Sequence, residues 1–153
     1  MAEDSQERKT FNKFKTMMIK HLGNKALDNT KIDKVGCKLF ASWRGCFASD
    51  RVKFQPYHYY IINVDTHDQP GSHWLACFTQ GKKCYVWDSY GRSIKKLAPH
   101  LIKSVHKSKM TRGKTNLIPQ MEQIGWTSEI CGAASNAWLP VVQKLEITKA
   151  NII

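Results

Sequence analysis

The first part of the chain carries one clear helical pattern of apolar positions. Apolar side chains recur three or four residues apart at Phe11, Phe14, Met18 and Leu22. This spacing predicts an amphipathic helix that packs its apolar face in the core and ends at Gly23. The polar residues 24–33 predict a loop. The aromatic and small residues of 36–50 predict a short strand followed by a surface turn.

The middle of the chain has the composition of strands. The segment HYYIINVD, residues 58–65, is rich in β-branched and aromatic side chains, which is typical of a buried strand. A turn follows, because Pro70 and Gly71 interrupt regular structure. The segments HWLACFT and KCYVWD then predict the two arms of a hairpin around Gln80, Gly81 and Lys82, since Gly81 can adopt a positive φ. We therefore expect three adjacent strands.

Helical spacing returns after the hairpin, at Ile94, Leu97, Leu101, Ile102 and Val105. Ser93 can cap this helix, and Pro99 predicts a local break in it. Further along, TNLIPQM predicts another strand. The segment SEICGAASNAWLPVVQKL predicts a helix capped by Ser128, with a small-residue packing surface.

Length and apolar content indicate a single domain. The chain has 153 residues, of which 42% are hydrophobic, enough for one core but too few for two comfortable ones. Taken with the predicted elements, this indicates one α+β domain over residues 1–153, with a central, mostly antiparallel sheet flanked by helices.

The charge is strongly unbalanced towards lysine and arginine. There are 24 basic and 12 acidic residues, a formal net charge of +12, and between Lys82 and Lys114 the only acid is Asp88. Such a surface attracts polyanions, although many basic runs are only solvated faces. We name as candidate nucleic-acid contacts seven cations of this run: Lys95, Lys96, Lys103, Lys107, Lys109, Arg112 and Lys114.

The beginning of the chain is polar and charged, so we expect neither a signal peptide nor a membrane span. Five cysteines without CxxC spacing favour reduced thiols in the cytosol or nucleus over a disulfide framework. His73, Cys77 and Cys84 lie close in sequence, but no paired spacing completes a tetrahedral zinc site, and we expect no metal.

One cysteine stands in a position that favours reactivity. Cys131 falls in the first turn of a predicted helix, where the helix dipole lowers the pKa of a thiol, and Gly132 beside it leaves room for a substrate carbonyl. A cysteine at such a place is also commonly a packed one. Acyl transfer further needs donors for an oxyanion, for which Gln123 is a candidate and Gln120 a rival.

A histidine and an aspartate lie at the two outer ends of the predicted hairpin. His73 begins one arm and Asp88 ends the other, so antiparallel pairing brings the two side chains to the same edge of the sheet. A carboxylate there can orient the imidazole, which in turn can take the proton of a thiol. Alternatively, His73 is a structural histidine and Asp88 a turn former.

The motifs GSHWLACF, YVWDSYG and SEICG, with Gln123 ahead of the last, occur in the order His, Asp, Cys. This order resembles the adenovirus-type cysteine proteases, the adenain family, which share their core with the ubiquitin-like-protein-specific proteases. WRGCFASD also resembles the segment that precedes the histidine strand in these enzymes. The resemblance covers roughly residues 36–140. Papain-like enzymes run Cys, His, Asn instead.

The resemblance implies that Cys131 is the nucleophile, His73 the general base and acid, Asp88 the third member and Gln123 an oxyanion donor. Trp74 would pack beside the histidine and shape the cleft with Gly132. It implies an endopeptidase that matures virion precursor proteins at glycine-containing sites, in the host nucleus and the virion or in the cytosol, with no required cofactor. DNA and an activating peptide are the implied stimulators, and we expect a monomer.

Two alternatives remain open at this point. The same triad could remove a ubiquitin-like modifier from its conjugates at a diglycine tail. The chain could also be a basic DNA-binding protein with an inert protease-like core, in which case neutralising Lys95, Lys96 and Lys103 would abolish function and replacing Cys131 would not.

Overall fold

The computed structural model of the chain describes residues 6–22, 29–69, 73–89, 91–113, 135 and 138–139. Its helices are α1 (Gln6–Leu22), α2 (Asn29–Leu39), α3 (Ile94–Leu97) and α4 (Pro99–Lys107). Its strands are β1 (Trp43–Ala48), β2 (Tyr59–Asn63), β3 (Trp74–Gln80), β4 (Lys83–Trp87) and β5 (Thr111–Arg112). Residues 135, 138 and 139 are also helical. The predicted strand over TNLIPQM and the start of the predicted helix after Ser128 lie outside the described residues.

The five strands form one sheet in the order β1-β2-β3-β4-β5. β2, β3 and β4 pair antiparallel, which confirms the three adjacent strands predicted from the sequence. The outer pairs are parallel, β1 with β2 and β5 with β4. The sheet is therefore mixed: its three central strands are antiparallel, as expected, whereas its two outer pairs are parallel, which the sequence pattern did not predict. The crossover through α3 and α4 explains why β5 runs parallel to β4, because a chain that crosses over one face of a sheet can re-enter the sheet in the same direction.

Apolar side chains cover both faces of the sheet, as alternation along the central strands requires. Ile61 of β2 and Ala76 of β3 point to the face covered by α1 and α2, whereas Ile62 and Leu75 point to the face covered by α3 and α4. The expected arrangement of a sheet flanked by helices is thus confirmed. Among the described helices, none is both long and apolar enough to cross a membrane.

One helical prediction is confirmed and one loop prediction is corrected. The helix predicted to begin near Ser93 is present: the Ser93 side chain accepts a hydrogen bond from the Lys96 backbone N–H, and Pro99 opens α4 after the break. The loop predicted for 24–33 was wrong from Asn29 onwards, where α2 begins. Ile32 is fully buried and Val35 packs against the same cluster, so two apolar residues at helical spacing outweigh the polar residues around them.

The connection after β1 is tied to α4 by serine hydroxyls. Ser104 donates a hydrogen bond of 2.6 Å to the Ser49 carbonyl, and Ser49 donates to the Val64 and Asp65 carbonyls at 3.1 Å each. Ser49 and Ser104 are both buried, and these bonds satisfy their hydroxyl groups. They hold the ends of β1 and β2 against α4. They therefore support the end of the sheet at which His73 leads into β3.

Candidate active site

The β3–β4 hairpin brings His73 and Asp88 together. Ala76 pairs with Trp87 and Gln80 with Lys83, so the turn falls at Gly81 and Lys82 and the open ends of the two strands meet. His73 directly precedes β3 and Asp88 directly follows β4. The His73 Nε2 atom lies 2.5 Å from Asp88 Oδ1. The predicted contact is confirmed, whereas its catalytic role stays a prediction.

This pair is buried. The side chain of His73 is 8% exposed and that of Asp88 is 1% exposed. Burial by itself would raise the pKa of Asp88, but hydrogen bonds from His73 and Arg92 outweigh it and hold the pKa of the carboxyl well below its usual range. Asp88 is therefore ionised and acts only as a hydrogen-bond acceptor.

Arg92 supplies most of the donors to this carboxylate. Its backbone N–H and its Nε donate to Asp88 Oδ2 at 2.9 and 3.0 Å, and its Nη2 donates to Oδ1 at 3.3 Å. The chain turns back at Gly91, whose φ of 71° suits glycine and whose N–H bonds to the Asp88 carbonyl at 2.9 Å. In the sequence, Arg92 is one of the cations between Lys82 and Lys114, and its position within that basic run predicts no contact with Asp88. Its position four residues after Asp88, just beyond a glycine, was the available signal.

The helical residues near the end of the chain dock at this same end of the hairpin. Ser135 Oγ donates to the Trp74 carbonyl at 3.3 Å, next to His73. Trp138 is fully buried and stacks on Trp87, the residue before Asp88, with ring centroids 5.8 Å apart and an interplanar angle of 7°. These contacts fix the two strand ends that carry the pair. No pattern in the sequence singled out Ser135.

Trp74 lies beside His73 in the chain, as the first residue of β3. It is half-buried and packs against the cluster on the α1 side of the sheet. Its expected role in a substrate cleft stays a prediction. Several other site candidates lie outside the described residues: Cys131, Gly132, Gln123, its rival Gln120, and Lys114.

The cysteines within the described ranges differ sharply in environment. Cys77 and Cys84 have no exposed surface. Burial raises the pKa of Cys77, and the neighbouring Cys84 thiol makes a smaller contribution in the same direction. Burial, with smaller contributions from Asp33 and Cys37, raises the pKa of Cys46 to about 12. Cys37 is exposed on α2. Across the described residues, no three metal-ligating side chains come together.

The predicted nucleic-acid contacts lie in and around α3, α4 and β5. All of those within the described ranges are solvent-exposed: Lys95, Lys96, Lys103, Lys107, Lys109 and Arg112. On α4 the buried positions are Leu101, Ser104 and Val105, so Lys103 and Lys107 occupy the solvent side of the helix. The structure thus leaves these cations available to a partner, while DNA binding stays a prediction.

Comparison with protein-family models gave no match, and comparison with curated proteins gave none either.

Proposed function

We propose that this chain is a cysteine endopeptidase that uses Cys131 as nucleophile, His73 as general base and acid, and Asp88 as the orienting carboxylate. The observation that carries the proposal is the buried His73–Asp88 hydrogen bond at the open end of the hairpin. A histidine paired with a buried, ionised carboxylate is the acid–base half of a nucleophilic triad.

The protonation state of the imidazole follows from its partner. Because ionised Asp88 can only accept, Nε2 of His73 carries a hydrogen, and in the neutral ring the lone pair lies on Nδ1. Nδ1 is therefore the atom that takes the proton of the thiol. Asp88 holds this tautomer and stabilises the imidazolium that forms.

The reaction then proceeds by acyl transfer. The Cys131 thiolate attacks the peptide carbonyl carbon, and the resulting oxyanion accepts hydrogen bonds from the Cys131 backbone N–H and the Gln123 side chain. His73 Nδ1 returns the proton to the leaving amine as the C–N bond breaks, which leaves a thioester. Water, deprotonated by the same nitrogen, hydrolyses the thioester and restores the thiol.

Chain connectivity supports Cys131 as the thiol of this site. Ser135 contacts the carbonyl of Trp74, the residue after His73, and Cys131 is four residues before Ser135 in the sequence. Four residues span at most about 14 Å when extended, and about 6 Å along the axis of an α-helix. The extended length alone keeps the Cys131 backbone within about 14 Å of that of Ser135.

The other thiols are poor candidates for the nucleophile. Cys77 and Cys84 are buried in the core and Cys46 has a pKa of about 12, which leaves almost no thiolate at neutral pH. Cys37 lies on α2, which packs against β1 at the opposite edge of the sheet from β4 and β5. The proposed substrate preference follows the resemblance: glycine beside the scissile bond, in virion precursor proteins, with Trp74 and Gly132 shaping the entry.

The test is labelling by an electrophilic peptide that ends in glycine, located by mass spectrometry. We expect the label on Cys131 in the wild type, no label in Cys131→Ala, and slow labelling in His73→Ala, because the imidazole no longer takes the thiol proton. Cys37→Ala is the matched control for an exposed thiol and should label like the wild type. Similar labelling of several cysteines, indifferent to His73, would refute the proposed enzyme.

Product analysis separates the two classes of protease. Cleavage within precursor-protein peptides that carry glycine beside the scissile bond supports the endopeptidase. Activity confined to conjugates of a ubiquitin-like modifier would instead assign the same triad to deconjugation.

A polyanion-binding role is favoured by the exposed cations around α4. Replacing Lys95, Lys96 and Lys103 with glutamine is expected to weaken binding to duplex DNA and to reduce the slope of log K against log salt by about 0.9 for each phosphate that the variant no longer neutralises. The measurement is a salt titration of binding by fluorescence anisotropy. The exposed lysines of α1 provide a control triple substitution with the same change of net charge: Lys9, Lys13 and Lys20. Equal effects of both triple variants would show that only overall charge matters.

A further inference from the structure

The donors around Asp88 are unevenly divided between its neighbours. His73 provides one hydrogen bond, to Oδ1, whereas Arg92 provides three that reach both oxygens. The guanidinium contacts are those of a fork that grips both oxygens of a carboxylate, and the backbone N–H of the same residue holds Oδ2 as well. Rotation of the carboxylate away from His73 would break several of these bonds at once.

We propose that Arg92 is a positioning residue of the candidate active site: it fixes the Asp88 carboxylate in the orientation that meets His73, and its charge balances that of the dyad. This inference rests on the proposed function for its catalytic meaning. Arg92 would act through Asp88, and no contact of Arg92 with substrate is implied.

The charge of Arg92 has a definite consequence for His73. A lone buried carboxylate strongly stabilises an imidazolium, so the ring would hold its proton too tightly to pass it on. Arg92 Nη2 shares Oδ1 with His73 Nε2 and therefore opposes that stabilisation. The side chains that contact this end of the hairpin from β2, from α1 and from the helical residues are uncharged: Asn63, Val64, Phe11, Ser135 and Trp138. The α1 helix also carries one buried cation on this side, Lys15, whose Nζ lies 5.4 Å from the centroid of the Phe11 ring.

The exposure of Arg92 separates this role from a packing role. Its side chain is 44% exposed although its Nε and Nη2 atoms both donate to Asp88. It belongs to neither apolar cluster of the core. A substitution that keeps most of the length of the side chain therefore changes the charge and the fork without removing core volume.

Two substitutions distinguish the charge from the fork. In Arg92→Gln the positive charge is lost, which raises the pKa of every acid nearby, so the pH profile of kcat/KM should move to higher pH by about half a unit to one unit. In Arg92→Lys the charge stays but the fork is lost, so kcat should fall about tenfold with little movement of the profile. Lys53→Gln, an exposed lysine outside the site, controls for the change of net charge.

A second readout does not depend on proteolysis. In a Cys131→Ala background, the His73 imidazole is titrated by NMR with and without Arg92→Gln, and we expect its pKa to rise in the variant while Lys53→Gln leaves it unchanged. An unchanged His73 titration would overturn the role of Arg92. A raised pKa in a protein that cleaves no peptide would support the role of Arg92 at the dyad and refute the proposed function alone.

Discussion

Replacing Asp88 with asparagine is expected to lower kcat/KM by about 10³- to 10⁴-fold, as loss of the orienting carboxylate does in a serine protease triad. The reason lies in the donors that surround the carboxylate. The backbone N–H and Nε of Arg92 both point at the Oδ2 position, so the amide oxygen of the substituted side chain would be held there. The amide nitrogen would then face His73 Nε2 and force this atom to accept a hydrogen bond.

That reversal moves the proton of the neutral imidazole to Nδ1, which can then no longer take a proton from the thiol. Asparagine does orient the imidazole in the Cys-His-Asn proteases, so a large loss here would trace to Arg92 rather than to the amide as such. The measurement is kcat/KM together with the ¹⁵N shifts of His73, which report the tautomer. Asp68→Asn, at an exposed loop position, is the control. Near wild-type activity in Asp88→Asn would contradict the proposed role of the carboxylate.

Replacing Gly36 with alanine is expected to lower the free energy of unfolding by about 3 kcal/mol, because the new methyl group displaces the Trp43 indole and breaks its hydrogen bond. A Cβ at Gly36 would lie 2.2 Å from Trp43 Cε2, far inside contact distance, so the indole must move. Trp43 is held in place by the bond from its Nε1 to Asp33 Oδ1, at 2.7 Å. Overpacking costs about 1–3 kcal/mol and a broken bond to a charged group about 1.5–3 kcal/mol. The better helix propensity of alanine returns about 1 kcal/mol.

Urea unfolding measures this effect, with Thr30→Ala as the control at an exposed position of the same helix. A smaller side chain at position 43 removes the overlap, so Gly36→Ala should cost much less in a Trp43→Leu background than in the wild type. Equal destabilisation by Gly36→Ala in both backgrounds would mean that overlap with the Trp43 ring is not the cause of the effect.

Local patterns in the sequence predicted the hairpin and therefore the dyad. The contact between His73 and Asp88 follows from the pairing of two neighbouring strands around Gly81, which requires no information from distant parts of the chain. The cap at Ser93 and the break at Pro99 were equally local. In each case the residues that decide the structure lie within a few positions of one another.

What the sequence did not reveal depends on partners distant in the chain or on geometry within a turn. The parallel pairing of β1 with β2 is set by long-range packing. The α2 helix was missed because its apolar residues are few and gain stability only by burial against the core. The contact of Arg92 with Asp88 was missed because the spacing of the two residues does not by itself show that the chain turns back at Gly91.

The buried thiols give the hairpin a property beyond its place in the proposed site. Cys77 and Cys84 lie in contact on neighbouring strands, with no exposed surface. They belong to the cluster beneath α3 and α4, so a thiol reagent reaches them when these helices leave the sheet or when the strands separate, and their rate of modification reports the free energy of local opening. Strand separation would also part His73 from Asp88. The rate at which these two cysteines become reactive therefore sets an upper limit on how often strand separation breaks the dyad.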